Sequence, residues 1–368
     1  MSIINKFLHL VNSCNRRIVL APVLLSIMGI LCLSSISYNN GTFPSREVII
    51  QSVALILGLL LTCITLYLGY RFFTSLEKFL YIFGIALLLT VYIPGIGTSS
   101  YGSRAWIDVG IVTFQPSEAA KIIFILAMSA YLSNHNTSLH RAGGIILAAL
   151  YGLPFIFIVA KEDFGTGCVF CVIWIFMVFC SGLELRIIGR LALCLFIATP
   201  LIYHFLAGYQ KERIDAFLKP GDLDLPGNYQ VWNSKIAIGS GGFWGKGYLQ
   251  GTQSNLGFLP IPKSDFIFAA IVEELGFIGG LAIILLFALF LYQSLKVTKY
   301  AKDLQGTLVG AGLTGMFFFQ SFENIAMTMG IMPVTGITLP FVSYGGSSML
   351  SSMMGVGLLL SISCRQKV

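Results

Sequence analysis

Charge is what this chain has least of. Asp, Glu, Lys and Arg make up 11% of its 368 residues, where soluble globular chains carry roughly 25%. So few charges cannot cover the surface of a soluble globule of this length. Histidine is nearly absent, with four residues, and the eight cysteines lie mostly inside apolar runs, as Cys168 and Cys171 do. Neither pattern makes a zinc cluster or a disulfide framework. Alternation is missing too. Segment 79–93 is apolar without the period of two that a barrel strand needs, which excludes a transmembrane β-barrel. The net charge of +7 reads as basic cytoplasmic loops and not as a nucleic-acid surface.

Hydrophobic residues instead reach 56% of the chain. Crossing about 30 Å of hydrocarbon takes roughly 20 of them in a helix. Ten apolar segments lie near 18–38, 48–69, 79–93, 116–132, 144–160, 166–182, 187–204, 266–295, 306–331 and 339–363. The pattern predicts an all-α polytopic membrane protein of about ten transmembrane helices, a single integral membrane domain over 1–368. A long outer loop, about 205–264, joins helices seven and eight. The first segment follows Arg16 and Arg17 but is too long for a cleaved signal, so it reads as an anchor. Lys6, Arg16, Arg17, Arg71, Lys78, Arg141, Arg186, Arg190, Lys296, Lys299, Lys302, Arg365 and Lys367 fall on one side of this layout. Arg46, Arg104 and Lys161 alone occupy the short loops of the other. By the positive-inside rule both termini are expected in the cytoplasm.

The acids then sort to the outer ends of the spans. Burying a charge in the bilayer costs at least about 2.5–3.5 kcal/mol on insertion scales, so such residues face protein or a wet cavity. Loop 94–115 is glycine-rich and contains Arg104 beside Trp106, a guanidinium fork suited to phosphate oxygens. Pro116, Ser117 and Glu118 open the next helix, and Glu118 and Lys121 share one of its faces. Asp163, in the turn KEDFGTG, is placed to cap span six and to meet the charge of Lys121. The stretch from Ser234 to Pro260 interleaves glycine with Phe243, Trp244, Tyr248 and Phe258, as a re-entrant or surface-lying loop would. Asp265 stands at the outer mouth of span eight, with Glu273 and Glu274 about 13 Å deeper by helix rise. Ser343, Tyr344 and the Gly345-Gly346 backbone present hydroxyls and N–H groups on the same side.

Taken together, GSRAWIDVG with FQPSEAAK, DFGT, SKIAIGSGGFWGKGYLQGTQS, SDFIFAAIVEELG and MPVTGITLPFVSYGGSS resemble the SEDS family, the polytopic RodA and FtsW proteins. The motifs occur in the family's order, and the GTQS run and short tails are more similar to the RodA branch. The resemblance implies a peptidoglycan glycosyltransferase of the bacterial inner membrane that polymerises lipid II for cell-wall elongation and shape. Its active side would face outward, and a class B penicillin-binding protein, a transpeptidase, would be its partner. It implies Asp265 as the essential acid. Arg104, Glu118, Lys121 and Asp163 match the family's loop arginine, its PSE-x-x-K helix and the aspartate paired with that lysine. The chain departs from the family pattern at Lys263-Ser264, at Lys161-Glu162 and at Glu323.

On this reading Asp265 either takes the proton from the acceptor's 4-hydroxyl or ligates a divalent cation, Mg2+ or Mn2+. Arg104 and Lys121 would face the leaving pyrophosphate. Two rivals stand beside it. A lipid II flippase needs polar groups through the inner half of the bilayer, where few occur, and a non-catalytic scaffold for the transpeptidase leaves Asp265 dispensable.

Overall fold

The computed structural model describes residues 15–38, 44–100, 103–108, 110, 113–136, 142–182, 189–190, 193, 197, 203–204 and 208–366. Helices α1 (Arg17–Tyr38), α2 (Arg46–Leu68), α3 (Tyr70–Thr74) and α4 (Glu77–Leu89) come first. They are followed by α5 (Pro116–Asn134), α6 (Ala142–Glu162) and α7 (Phe164–Cys180). Next are α8 (Gly208–Leu218), α9 (Pro226–Gly241) and α10 (Thr252–Asn255), then α11 (Ile267–Lys299), α12 (Leu304–Thr328) and α13 (Gly346–Arg365). Among the described residues, α1, α2, residues 143–162 of α6, α11 and α13 are long and apolar enough to cross a membrane. The expected seventh span, 187–204, lies largely outside the described residues. Large apolar side chains cover the periphery, with Ile82 69%, Phe157 68% and Phe79 64% exposed, a surface suited to hydrocarbon.

Both ends of the described chain meet at one end of the bundle. Asn15 Nδ2 donates to Gln293 Oε1 at 3.0 Å, and Gln366 Nε2 donates to the Val297 carbonyl at 2.6 Å. There Asp303 caps α12, accepting from Gly306 N at 2.8 Å, and takes a second donor, Arg71 Nε, at 3.0 Å. Asp163, Asp265 and the longer connecting segments lie at the opposite end.

That end differs from the sequence expectation in three places. Loop 94–115 adds a small antiparallel sheet to the helical body, with strand order β1 (Gly97–Ser100), β2 (Ser103–Asp108) and β3 (Thr113–Phe114). The expected last span, 339–363, starts as a helix only at Gly346. Pro333 and Pro340 break the chain before it, and Gly330, Gly336 and Phe341 take positive φ. Third, the glycine-rich stretch after α9 is tied down. Helix α11 breaks at Gly276, where φ is 69° and ψ −166°. The freed backbone is taken up by that stretch: Lys246 N donates to Glu273 O and Gly247 N to Glu274 O, both at 3.0 Å, and Phe277 N to Gly242 O at 2.9 Å. A methyl on Gly276 would lie 2.3 Å from Gly245 N, so no other residue fits. Non-helical backbone is tolerated at membrane depth only when protein satisfies it in this way.

The two glutamates after this segment are structural. Glu273 accepts from Lys246 Nζ at 2.7 Å, Gln253 N at 2.7 Å, Ser254 N at 3.0 Å and Ser254 Oγ at 2.9 Å, which pins α10. Glu274 turns the other way and accepts from Ser35 Oγ of α1.

Helix α13 is buried along its length and lies against α2. Small residues let the two backbones approach, as in other membrane helix pairs. A methyl on Gly357 would stand 1.9 Å from Thr65 Oγ1 and 2.8 Å from the Thr62 carbonyl, whereas one on Gly346 would meet nothing within 4 Å. Gly357→Ala is therefore expected to lower stability by about 1–3 kcal/mol through overpacking. Gly346→Ala should stay within about 0.5 kcal/mol of the parent. Thermal unfolding in detergent compares the two directly.

Candidate active site

The residues around Asp265 are fixed before its side chain is considered. Asp265 stands in the turn that leads into α11, and its carbonyl accepts from Asn324 Nδ2 of α12 at 3.0 Å. The same amide donates to the Ile337 carbonyl at 2.8 Å, so α12 holds the turn and the 331–345 segment together. Ser343 Oγ donates to the Ser264 carbonyl at 2.6 Å and accepts from Leu339 N at 2.8 Å. Tyr344 N donates to the Lys263 carbonyl at 3.0 Å. Lys263 is itself paired with Glu47 of α2 at 2.8 Å. Three elements thus clamp the backbone on both sides of one half-buried acid.

Within this frame Asp265 Oδ1 accepts from Ser264 Oγ at 2.9 Å. Its other oxygen and Arg213 of α8 flank Gly336: a methyl there would lie 3.5 Å from Asp265 Oδ2 and 3.9 Å from Arg213 Nη1. The guanidinium is held by its donation to the Thr335 carbonyl at 2.8 Å. Asp163 caps α7, accepting from Thr166 N at 3.1 Å and Thr166 Oγ1 at 2.6 Å. Glu323, fully buried in α12, accepts from the Thr335 hydroxyl, and its second oxygen has no partner among the described residues. Asp163, Asp265 and Glu323 all lie within the field of Arg213. Burial pushes the carboxyls of Asp163 and Asp265 above their ordinary range, while hydrogen bonds from Thr166 and Ser264, and then Arg213, pull them back.

The other predicted residues take supporting places. Lys121 is 1% exposed and pairs with Glu118 of its own helix at 2.8 Å. Glu118 Oε2 also accepts from Ser351 Oγ of α13 at 3.0 Å. The ion pair expected between Lys121 and Asp163 is therefore not formed. The i, i+3 partner on α5 is nearer, and Thr166 takes both oxygens of Asp163, leaving Lys121 to act on it through space. Ser343, read from the sequence as presenting a hydroxyl on the outer side, is buried and braces the Asp265 turn. Tyr344 does the same through its backbone. Arg104 lies on β2, and its side chain lies outside the described residues. Sequence reasoning passed over Arg213, although the charge cluster Lys211-Glu212-Arg213 in so apolar a chain was its visible signal.

Among the described residues no three His, Cys, Asp or Glu side chains converge as a metal cage. Mg2+ asks for less, since it is commonly held by one or two carboxylates together with substrate phosphates. Asp265 Oδ2, not taken by Ser264, suits that use.

A family model described as cell cycle protein, FtsW/RodA/SpoVE, matches residues 15–368. The peptidoglycan glycosyltransferase MrdB of Escherichia coli K12 is 37% identical over 315 residues, covering 85% of this chain and 84% of that protein. The peptidoglycan glycosyltransferase RodA of Treponema pallidum is 33% identical, with 95% and 97% covered. Among solved structures, a chain of a peptidoglycan synthase complex that coordinates polymerization and crosslinking superposes with a TM-score of 0.78. It is 28% identical, with 96% of this chain and 98% of that one covered. The rod shape determining protein RodA of Thermus thermophilus gives a TM-score of 0.69 at 28% identity, with 95% and 96% covered.

The Glu118–Lys121 pair generates a test of the packing. Lys121→Met leaves a buried carboxylate alone and is expected to cost about 3–5 kcal/mol. Adding Glu118→Gln should restore part of that loss, and adding Asp163→Asn should not. Unfolding midpoints of the three variants in detergent check the assignment.

Proposed function

The chain belongs to the FtsW, RodA and SpoVE family of cell cycle proteins, and from that membership we infer that it is a peptidoglycan glycosyltransferase of the multi-pass membrane class. Its substrate on this reading is lipid II, a disaccharide-pentapeptide on undecaprenyl pyrophosphate, polymerised into β-1,4-linked glycan for elongation and shape. The observation that carries the reading is the clamped Asp265 carboxylate with the Arg213 guanidinium across Gly336.

The chemistry follows from that pair. Asp265 takes the proton of the acceptor's GlcNAc 4-hydroxyl as its oxygen attacks the anomeric carbon of the donor. The bond from that carbon to the pyrophosphate breaks on the opposite face, so an α-linked phosphate gives a β linkage. Arg213, joined by Arg104 from β2, meets the charge that builds on the departing pyrophosphate. In the alternative role Asp265 would not take the proton: it would hold a divalent cation, Mg2+ or Mn2+, against the phosphates, and that ion would neutralise part of the charge. The raised carboxyl of Asp265 suits a base working near neutral pH, because it holds a transferred proton better than an exposed aspartate does.

The protein lies in the cytoplasmic membrane with both chain ends in the cytoplasm and the Asp265 end outward, where lipid II is consumed. A class B penicillin-binding protein is its partner. The solved complex that coordinates polymerization with crosslinking supports that pairing. Flippase and scaffold readings lack an account of the clamped acid.

Two outcomes are expected. Asp265→Asn should lower glycan synthesis from purified lipid II by about 10²–10⁴. Its unfolding midpoint at neutral pH should be equal or higher, since a carboxyl raised by folding destabilises the native state once pH exceeds its unfolded value. Polymer length on gels and a thermal melt read the two effects. In intact cells an impermeant thiol reagent should label a cysteine placed at Asp224, an exposed site between α8 and α9, and not one at Lys299 at the far end of α11.

A further inference from the structure

A polymerase of this class must hold two lipid-linked pyrophosphates together, one on the chain being transferred and one on the incoming acceptor. The pair Asp265 and Arg213 accounts for the reacting bond. It leaves the acceptor's own pyrophosphate, which does not react, without a seat.

Beside that pair an open cleft lies between α8, α9 and the start of the 331–345 segment. Among the described residues its charged lining is two cations, Arg213 and Lys235, and no acid. Lys235 lies over Gly330, where a methyl would come within 2.6 Å of its Nζ. It is solvent-exposed, and among the described residues no carboxylate stands within ion-pair distance of it. Trp232, 53% exposed, and Phe217, 40% exposed, supply flat apolar walls beside the two cations. Lys235 beside an aromatic wall, with Arg213 shared with the Asp265 site, suits a phosphorylated pyranose: the phosphates meet the charges and the ring rests on the indole. Arg213 belongs to both the cleft and the Asp265 pair, so a ligand here lies next to the reacting centre.

We propose that this cleft, with Lys235 as its principal cation, binds the sugar pyrophosphate of the second lipid-linked substrate during polymerisation. The assignment rests on the lipid II reading of the Asp265 site. It also makes Trp232 a specificity residue, since a lipid carrying a lone phosphodiester and no sugar meets Lys235 but leaves the aromatic wall uncovered.

The test uses the full-length protein in detergent, with lipid II as the probe. Native mass spectrometry of Asp265→Asn, which binds without turning over, is expected to find two lipid II molecules per chain. Adding Lys235→Glu should leave one, and Lys235→Arg, which keeps the charge, should retain two. In otherwise unaltered protein, Lys235→Gln should raise KM for lipid II roughly tenfold, the loss of one charge-assisted hydrogen bond, with a smaller effect on kcat. Thermal melts check that each variant is folded. Two bound lipids in folded Lys235→Glu would overturn the proposal. So would equal competition by phosphatidylglycerol, which would make the cleft a phospholipid headgroup site. A parent protein that makes no glycan from lipid II would instead refute the polymerase reading itself.

Discussion

Asp163, Asp265 and Glu323 share the field of a single guanidinium, that of Arg213, at one end of an apolar bundle. A carboxylate withdrawn from water costs several kcal/mol unless it is paired and hydrogen-bonded. Three so close also repel one another. The surrounding architecture is what makes the cluster tolerable. Thr166 satisfies Asp163 at a helix N-terminus, Ser264 satisfies one oxygen of Asp265, and Thr335 serves Glu323 while its carbonyl holds Arg213. Remove the arginine and each of these local arrangements faces uncompensated charge. The site is thus a compromise in which stability is given up, and the proposed use of Asp265 as a base is what that compromise would serve.

The same end shows how irregular backbone is accommodated. Helix α11 breaks at Gly276, and the stretch after α9 supplies the donors that the break leaves wanting. Helix α9 also forms one wall of the Lys235 cleft, so cleft and broken helix share an element. Glu273 extends it by gathering the N-terminus of α10. Glycine in this stretch serves close packing, and the aromatics between them are exposed beside it, with Trp244 77% exposed and Phe243 stacked on Phe277 at 5.9 Å.

How much of this was legible in the sequence depends on the range of the interaction. Apolar runs are local signals, and they marked the described long helices within a few residues except α13, whose start is delayed to Gly346 by the broken backbone before it. Asp265 was legible because it interrupts such a run at its mouth. The Glu118–Lys121 pair was visible as an i, i+3 face, but that proximity also meant the pair would close on itself and leave Asp163 to Thr166. Arg213 was not found, since its meaning comes from Gly336, some 120 residues away in the chain. Ser343 read as a surface hydroxyl because nothing local reveals that it donates to the Ser264 carbonyl. The sheet in loop 94–115 was masked by its glycines, which suggested turns alone. Long-range contacts decide these cases, and pattern reading does not reach them.

The central claim is that Asp265 accepts the proton of the attacking hydroxyl with Arg213 at the leaving pyrophosphate. A structure of Asp265→Asn with lipid II bound tests it most directly. The account predicts an acceptor 4-hydroxyl about 2.6–3.2 Å from the residue-265 side chain and a donor pyrophosphate against Arg213. Lipid II seated with its sugars away from both residues, at the opposite end of the bundle or along its apolar periphery, would contradict it.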